Sequence, residues 1–259
     1  MTQVNTTLRL MANAAESAYQ NAMTTMTASE RSRDIGLGGD GTPTMFLDQY
    51  IESPVLQIIE NIGANVISEE VGWIDRGSAV TMVIDPVDGT ANSAAGVPLS
   101  GFSVAMAIDG VVVESLVTWL GTTYEWHAHI DDPVVRRVSN QESLAGASLS
   151  ILRPRPTTWT GWSKIAQKAE RLRILGTSVI EGCLVSDGAV DAFCDPGGDI
   201  HRIVDIAAVA LIVEKSGGVV RDVHGRKFNF EPDLSQRWSG VFAATESLAD
   251  DIITTLTAE

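Results

Sequence analysis

Three apolar residues, Met82, Val83 and Ile84, lead directly into Asp85-Pro86-Val87-Asp88-Gly89-Thr90. A buried carboxylate is costly unless a cation or metal faces it, so an apolar strand that ends on acids asks for one. A turn at Pro86 can aim Asp85 and Asp88 at a single ion, and the Val87 carbonyl between them is a third oxygen. Carboxylate, carbonyl and water oxygens are the ligands that Mg2+ takes. Gly89 permits close backbone approach. If a helix starts at Thr90, the N–H groups of Gly89 and Thr90 point at the same place and make a phosphate cradle beside the ion. The plain alternative is a solvated Asp-Gly turn, because both residues are common in turns.

Other segments repeat the pattern. NVISEEVG places Glu69 and Glu70 at the end of another short apolar strand, where one of the two can face a cleft. Asp205 opens the apolar run VDIAAVALIVEKSGG, where helix capping is the ordinary account. Asp48 lies on a helix face beside Met45, Phe46 and Leu47. Each acid alone has a bland explanation. What they share is that all follow apolar residues at the ends of elements.

The elements that must carry these residues alternate along the chain. Apolar positions at Val4, Leu8, Met11, Ala15, Ala18 and Ala22 predict a helix over 4–28. A glycine-rich loop, 31–44, follows. A second helical pattern runs over 44–62, and Pro54 inside it predicts a kink or a break. From residue 65 onward strands dominate, with Asp109-Gly110 as a hairpin signal and Gly121-Thr122 as a weaker one. Further strands are predicted at 147–152, at VDAFCD, at GVVRD and at GVFAAT. Helices are predicted at 162–172, 177–186, the segment from Ile203 to Gly217-Gly218, and 246–256. The reading is one α+β domain over 1–259, with subdomains of roughly 1–140 and 141–259 and no linker between them.

Composition narrows the chemistry. The formal net charge of -15 makes nucleic acid and anionic membrane unsuitable partners, and a phosphorylated substrate needs a cation or N–H donors to offset it. Cys183 and Cys194 have neither metal-ligand spacing nor a disulfide framework, and read as small buried residues. No stretch is apolar for the roughly 18 residues of a membrane span, and the start lacks a signal-peptide pattern. The expectation is a cytoplasmic protein. None of His127, His129, His201 and His224 stands beside a nucleophile-elbow pattern, which disfavours Ser-His-Asp chemistry.

Taken together, VIDPVDGT, VDIAAVALIVEKSGG and NVISEE resemble three motifs of the inositol monophosphatase family, and GDGTPTMFLD and ILGTSVIEGCLVSDGAVDAFCD fit the family's intervening blocks. The resemblance covers roughly 35–220. GDGTPT and RIVDIAA are similar to the archaeal-type branch, which often hydrolyses both inositol phosphates and fructose 1,6-bisphosphate. Val204 stands where the family usually has Trp, a loss of packing bulk and not of a ligand. The resemblance implies the layered αβαβα sandwich of the sugar phosphatase superfamily, usually a homodimer. It implies two or three Mg2+ held by Glu69, Asp85, the Val87 carbonyl, Asp88 and Asp205. Thr90 and Asp48, assisted by Glu69, would orient and deprotonate the attacking water, and the Gly89 and Thr90 amides would hold the phosphate.

Substrate contacts carried over in the same way are Asp88, Gly176, Thr177, Ser178 and Asp195, with Asp199 as the alternative to Asp195. Arg202 is placed to meet a second phosphate, or else to lie on the surface near a helix start. Ser93 stands where the family commonly has an aromatic, which would leave a roomier wall. The function expected is hydrolysis of a small sugar or inositol phosphate. The alternatives are a nucleotidase, a phosphatase of a specialised biosynthetic pathway, or a non-catalytic ligand-binding relative. The last is disfavoured because Glu69, Asp85, Asp88, Thr90 and Asp205 are all present.

Overall fold

The computed structural model describes residues 2–228 and 230–258. The chain opens with helix α1 (Thr6–Thr25), the short α2 (Ala28–Arg31), strands β1 (Asp34–Leu37) and β2 (Pro43–Met45), and helix α3 (Phe46–Asn61). Then come β3 (Asn65–Ser68), β4 (Gly72–Ile74), β5 (Val80–Asp88), α4 (Thr90–Ala95), β6 (Gly101–Ile108), β7 (Val111–Trp119) and β8 (Glu125–His129). The rest is β9 (Ser148–Ile151), α5 (Trp159–Lys168), β10 (Arg171–Arg173), α6 (Ser178–Ser186), β11 (Ala192–Cys194), α7 (Ile203–Lys215), β12 (Val219–Asp222), β13 (Gly240–Ala243) and α8 (Glu246–Thr257).

Two mixed sheets alternate with three helical layers, the sandwich that the resemblance implied. The six-stranded sheet has the order β4-β3-β5-β6-β7-β8, and the five-stranded sheet β10-β9-β11-β13-β12. Helices α1 and α3 cover the outer face of the first sheet, burying Leu8, Met11, Ala15, Leu47, Ile51, Val55 and Ile59 against Ile84, Phe102 and Val104. Helices α5 and α8 cover the outer face of the second. Between the sheets lie α6 and α7. α7 buries Ile203, Val204, Ile206, Val209, Ile212 and Val213, so it is apolar nearly all round, as a helix packed on both sides must be.

Several local expectations change. The segment read as a glycine-rich loop forms the antiparallel β1–β2 hairpin. Pro54 neither ends nor splits α3, whose residues 46–61 form one helix. The i, i+4 row Leu47, Ile51, Val55 and Ile59 is fully buried, and that packing outweighs the one backbone bond Pro54 removes. The helix predicted to reach residue 172 stops at Lys168, because Arg171–Arg173 pairs parallel to β9 with Leu172 turned into the third core cluster. The hairpin at Asp109-Gly110 forms as read, with φ of 48° and 78° at the two turn residues.

The α6–α7 contact is tight. A Cβ on Gly182 would lie 2.4 Å from Val209 Cγ1. Gly182→Ala is therefore expected to force the two central helices apart at a cost of about 1–3 kcal/mol, read as a lower urea midpoint with unchanged slope. An unchanged midpoint would show that the layer yields without loss.

Candidate active site

The acids meet where the first sheet ends. β5 carries Asp85 and Asp88, and its pairing with β6 steps from Asp85↔Ser103 to Asp88↔Gly101. β5 thus advances three residues while β6 advances two, which is a bulge. In a regular strand, residues three apart point to opposite faces; the extra residue brings both carboxylates to the same side. Pro86 lacks the N–H a ladder needs and sits in the bulge. The sequence placed a turn at Pro86. The structure achieves the same aim inside a continuous strand.

Asp205 comes to them from the third residue of α7. Oxygens of Asp85, Asp88 and Asp205 all lie within 4.8 Å of one another. Each carboxylate is fixed by its neighbours. Asp85 Oδ1 accepts from Val87 N at 3.1 Å, while Oδ2 is buried and has no hydrogen-bond partner. Asp88 Oδ2 accepts from Val179 N and from Thr177 Oγ1, both at 2.7 Å, at the start of α6. Asp205 Oδ2 accepts from Arg202 N at 2.6 Å. The orphaned Asp85 oxygen among converging carboxylates is the donor set a hard divalent cation needs.

Thr90 and Asp48 form the expected pair. Thr90 Oγ1 lies 2.7 Å from Asp48 Oδ1 and 2.9 Å from the Val87 carbonyl, and can donate to either. Asp48 sits in the first turn of α3, where Met45 N donates to its Oδ2 at 3.1 Å. Gly89 has φ 90° and immediately precedes α4. A Cβ there would lie 2.8 Å from the Leu99 carbonyl, so only glycine brings its amide this close to the acids.

Glu69 is not among the three clustered acids. It lies at the cleft, with Arg202 Nη1 2.5 Å from its Oε1 and Nη2 2.9 Å from its Oε2. Arg202 also reaches Asp40 Oδ2 at 2.6 Å and Asp205 Oδ2 at 3.3 Å. It is not a surface residue; its side chain is mostly buried among acids. Burial opposes its charge, but Asp205 and Glu69 outweigh that and raise its pKa.

The surroundings of four further residues differ from what the sequence suggested. Asp195 is fully buried, and its oxygens accept from Gly198 N at 2.7 Å and Ile200 N at 2.8 Å, which shapes the loop. Asp199 lines the cleft but is paired with Arg226 at 2.5 Å. Thr177 is buried, and its hydroxyl serves Asp88. Ser93, the first residue of the Ser93-Ala94-Ala95 stretch read as a roomier wall, is fully buried and bonded to Ser100 Oγ at 2.7 Å, while Ala95 is exposed.

Gly176 and Ser178 do line a cavity of about 220 Å³ with Asp88, Arg153, Arg155 and Ile200. A second, of about 340 Å³, shares Arg155 and Ile200 and is bordered by Glu69, Asp40 and Arg202.

Sequence reasoning missed several supporting residues. Asp40, at the tip of the β1–β2 hairpin, accepts from Thr42 N and Oγ1 as well as from Arg202. Glu181, fully buried in α6, accepts from Leu175 N and Thr177 N, both at 3.1 Å, and from Ser150 Oγ. An acid inside the apolar run SVIEGCLV was the available signal. Asn92 Nδ2 donates to the carbonyls of Leu99 at 2.9 Å and Leu175 at 2.8 Å.

Burial is the largest cause of raised carboxyl pKa values here. It lifts Asp48 to about 7, Glu52 to about 7 and Glu70 to about 8. Asp88 rises to about 7 by burial and the nearby Asp205. Asp85 rises well above the usual range by burial and then by the charges of Glu69, Asp88 and Asp205. Such groups keep protons in the folded state that the unfolded chain has released, so their stability contribution is present at low pH and lost as pH passes the folded value. Metal-stripped protein is expected to lose stability between about pH 5 and about pH 8, and divalent metal to restore it. Denaturant midpoints that stay flat or rise over that range would contradict the electrostatic picture.

Comparison with known proteins gives the family. The model of the inositol monophosphatase family matches residues 4–259. A relative from Methanothermobacter thermautotrophicus, named fructose-1,6-bisphosphatase/inositol-1-monophosphatase, is 32% identical over 244 residues, covering 86% of this chain and 86% of its own. A histidinol-phosphatase from Mycobacterium tuberculosis is 27% identical over 241 residues, covering 85% of this chain and 86% of its own. A crystal structure described as an inositol monophosphatase–fructose 1,6-bisphosphatase aligns at TM-score 0.86 over 98% of this chain and 100% of that one, at 23% identity, and shares the fold. The chain belongs to the inositol monophosphatase family and is, like its relatives, a metal-dependent phosphoric monoester hydrolase.

Proposed function

We propose that the chain hydrolyses a small sugar or inositol phosphate with Mg2+, held by Asp85, Asp88, Asp205 and the Val87 carbonyl, with Glu69 completing the set. The observation that carries this is the buried, unpartnered Asp85 Oδ2 facing two other carboxylates. When bound, Mg2+ supplies positive charge against the phosphate and lowers the pKa of water. The chain's own groups do the rest. The Gly89 and Thr90 amides receive phosphate oxygens at the start of α4. Thr90 Oγ1 orients the attacking water, and Asp48 Oδ1, 2.7 Å away, takes the proton relayed through it. Thr177 and Val179 N keep Asp88 aimed by holding its Oδ2.

The non-reacting part of the substrate would lie in the cavity lined by Gly176, Ser178, Arg153 and Arg155. Among the described residues its apolar lining is Leu152, Ile174 and Ile200, with no aromatic ring to stack a base. That favours a sugar or polyol over a nucleotide.

The test is phosphate release from inositol 1-phosphate, fructose 1,6-bisphosphate, glucose 1-phosphate, histidinol phosphate and AMP, with Mg2+ and with EDTA. Release is expected only with metal, with AMP the poorest substrate, and abolished in Asp85→Asn. Thr90→Val is expected to lower kcat by about 10²–10⁴-fold with little change in KM. Release that persists in EDTA would sink the metal reading, and AMP ranking first would favour a nucleotidase.

A further inference from the structure

Arg202 makes the carboxylates inequivalent. Glu69 is bound at both oxygens by one guanidinium, with contacts of 2.5 and 2.9 Å. Asp85 instead keeps a buried oxygen with no partner. An ion at Asp85, Asp88 and Asp205 finds an oxygen already free. An ion that uses Glu69 must displace Arg202 or share the carboxylate with it, because the guanidinium occupies one lone-pair direction on each oxygen and its positive charge opposes a second cation in contact with the same group.

The guanidinium has somewhere to stay when it lets go. Nη1 also lies 2.6 Å from Asp40 Oδ2. The Asp40 side chain is fully buried and anchored by the Thr42 amide and hydroxyl at 2.8 and 2.7 Å. The hairpin tip that carries Asp40 is itself seated on the turn after β3. Gly39 N donates to the Glu70 carbonyl at 2.7 Å, and Asp40 N to the Glu69 carbonyl at 3.3 Å. The cavity of about 340 Å³ bordered by Asp40, Glu69 and Arg202 gives the side chain room to pivot.

We infer that Arg202 is a resident counter-cation that competes with the metal for Glu69 and so sets how tightly the chain binds divalent ions. This rests on the metal site proposed above. Without metal, Arg202 offsets the mutual repulsion of Asp40, Glu69 and Asp205. With metal, the ion takes over Glu69 and Arg202 remains on Asp40. The two cations are linked through one carboxylate, so removing one must strengthen the other. An arginine that only braced Glu69 for the metal would show the opposite sign, because losing it would weaken metal binding.

The test is calorimetric titration of metal-free wild type, Arg202→Met and Arg202→Lys with Mg2+, together with the melting temperature of each with and without the ion. Arg202→Met is expected to bind Mg2+ about tenfold more tightly, a coupling of ordinary size. Its metal-free melting temperature should fall, and its gain on adding Mg2+ should exceed that of wild type. Arg202→Lys, which keeps the charge but loses the fork, should lie between them. Equal or weaker Mg2+ binding in both variants overturns the inference while leaving the metal site standing. If Arg202→Met is not recovered folded, the Lys variant decides alone on the same sign. Absence of Mg2+ binding in wild type overturns the metal site and this inference together.

Discussion

Like charges held together out of water govern this molecule. Asp48, Asp85, Asp88 and Asp205 are buried or half-buried within one small region, and Glu69 stands beside them. Left alone, such a group would be expelled or protonated. The fold offsets it with backbone amides, hydroxyls and one guanidinium. Three of the acids sit at helix starts: Asp48 in the first turn of α3, Asp205 in the first turn of α7, and Asp88 against the first amides of α6. The positive ends of three helices therefore converge on one volume.

That convergence explains the order of the layers. β5 lies inside its sheet between β3 and β6, so its end opens between the outer helix α3 and the central helices α6 and α7. α7 is apolar all round and can be placed nowhere but between sheets. Its single acid at the first turn is thereby carried from the core to the carboxyl end of β5. A bulge at Pro86, not a turn, brings Asp85 and Asp88 to one side. The scaffold gives each residue an ordinary local reason to be where it is, and the site is the sum.

Much of this was legible in the sequence because it follows from short-range pattern. Apolar runs that end on acids marked Asp85 and Asp88, an apolar run that opens on one marked Asp205, and the Thr90–Asp48 pair followed from the resemblance. What was not legible depends on long-range geometry. Nothing local to Asp195 says that its oxygens are consumed by Gly198 and Ile200 amides. Nothing local to Arg202 says that it turns inward to Asp40, more than 150 residues away in the chain. The hairpin at 34–45 was hidden because its glycines, which let two backbones touch at Gly39 and Gly72, are the same residues that mark a loop. Pro54 misled for the reverse reason, since a local rule yielded to packing.

Asn92 carries one more consequence. Its amide joins the carbonyl of Leu99, beyond α4, to that of Leu175, between the cavity-lining Ile174 and Gly176. Gly89 closes on the same two segments, within contact of Leu99 and Gly176. The start of α4 and the segment leading into α6 are thus tied together by one amide and by close backbone packing. On the opposite bank the β1–β2 hairpin meets Glu69 and Glu70 through backbone bonds, through the Thr44 hydroxyl on the Glu70 carboxylate, and through Arg202, which joins Asp40 to Glu69. The two sides of the cleft are thus fastened by different means, one by a single side-chain amide and close backbone packing, the other by a shared guanidinium.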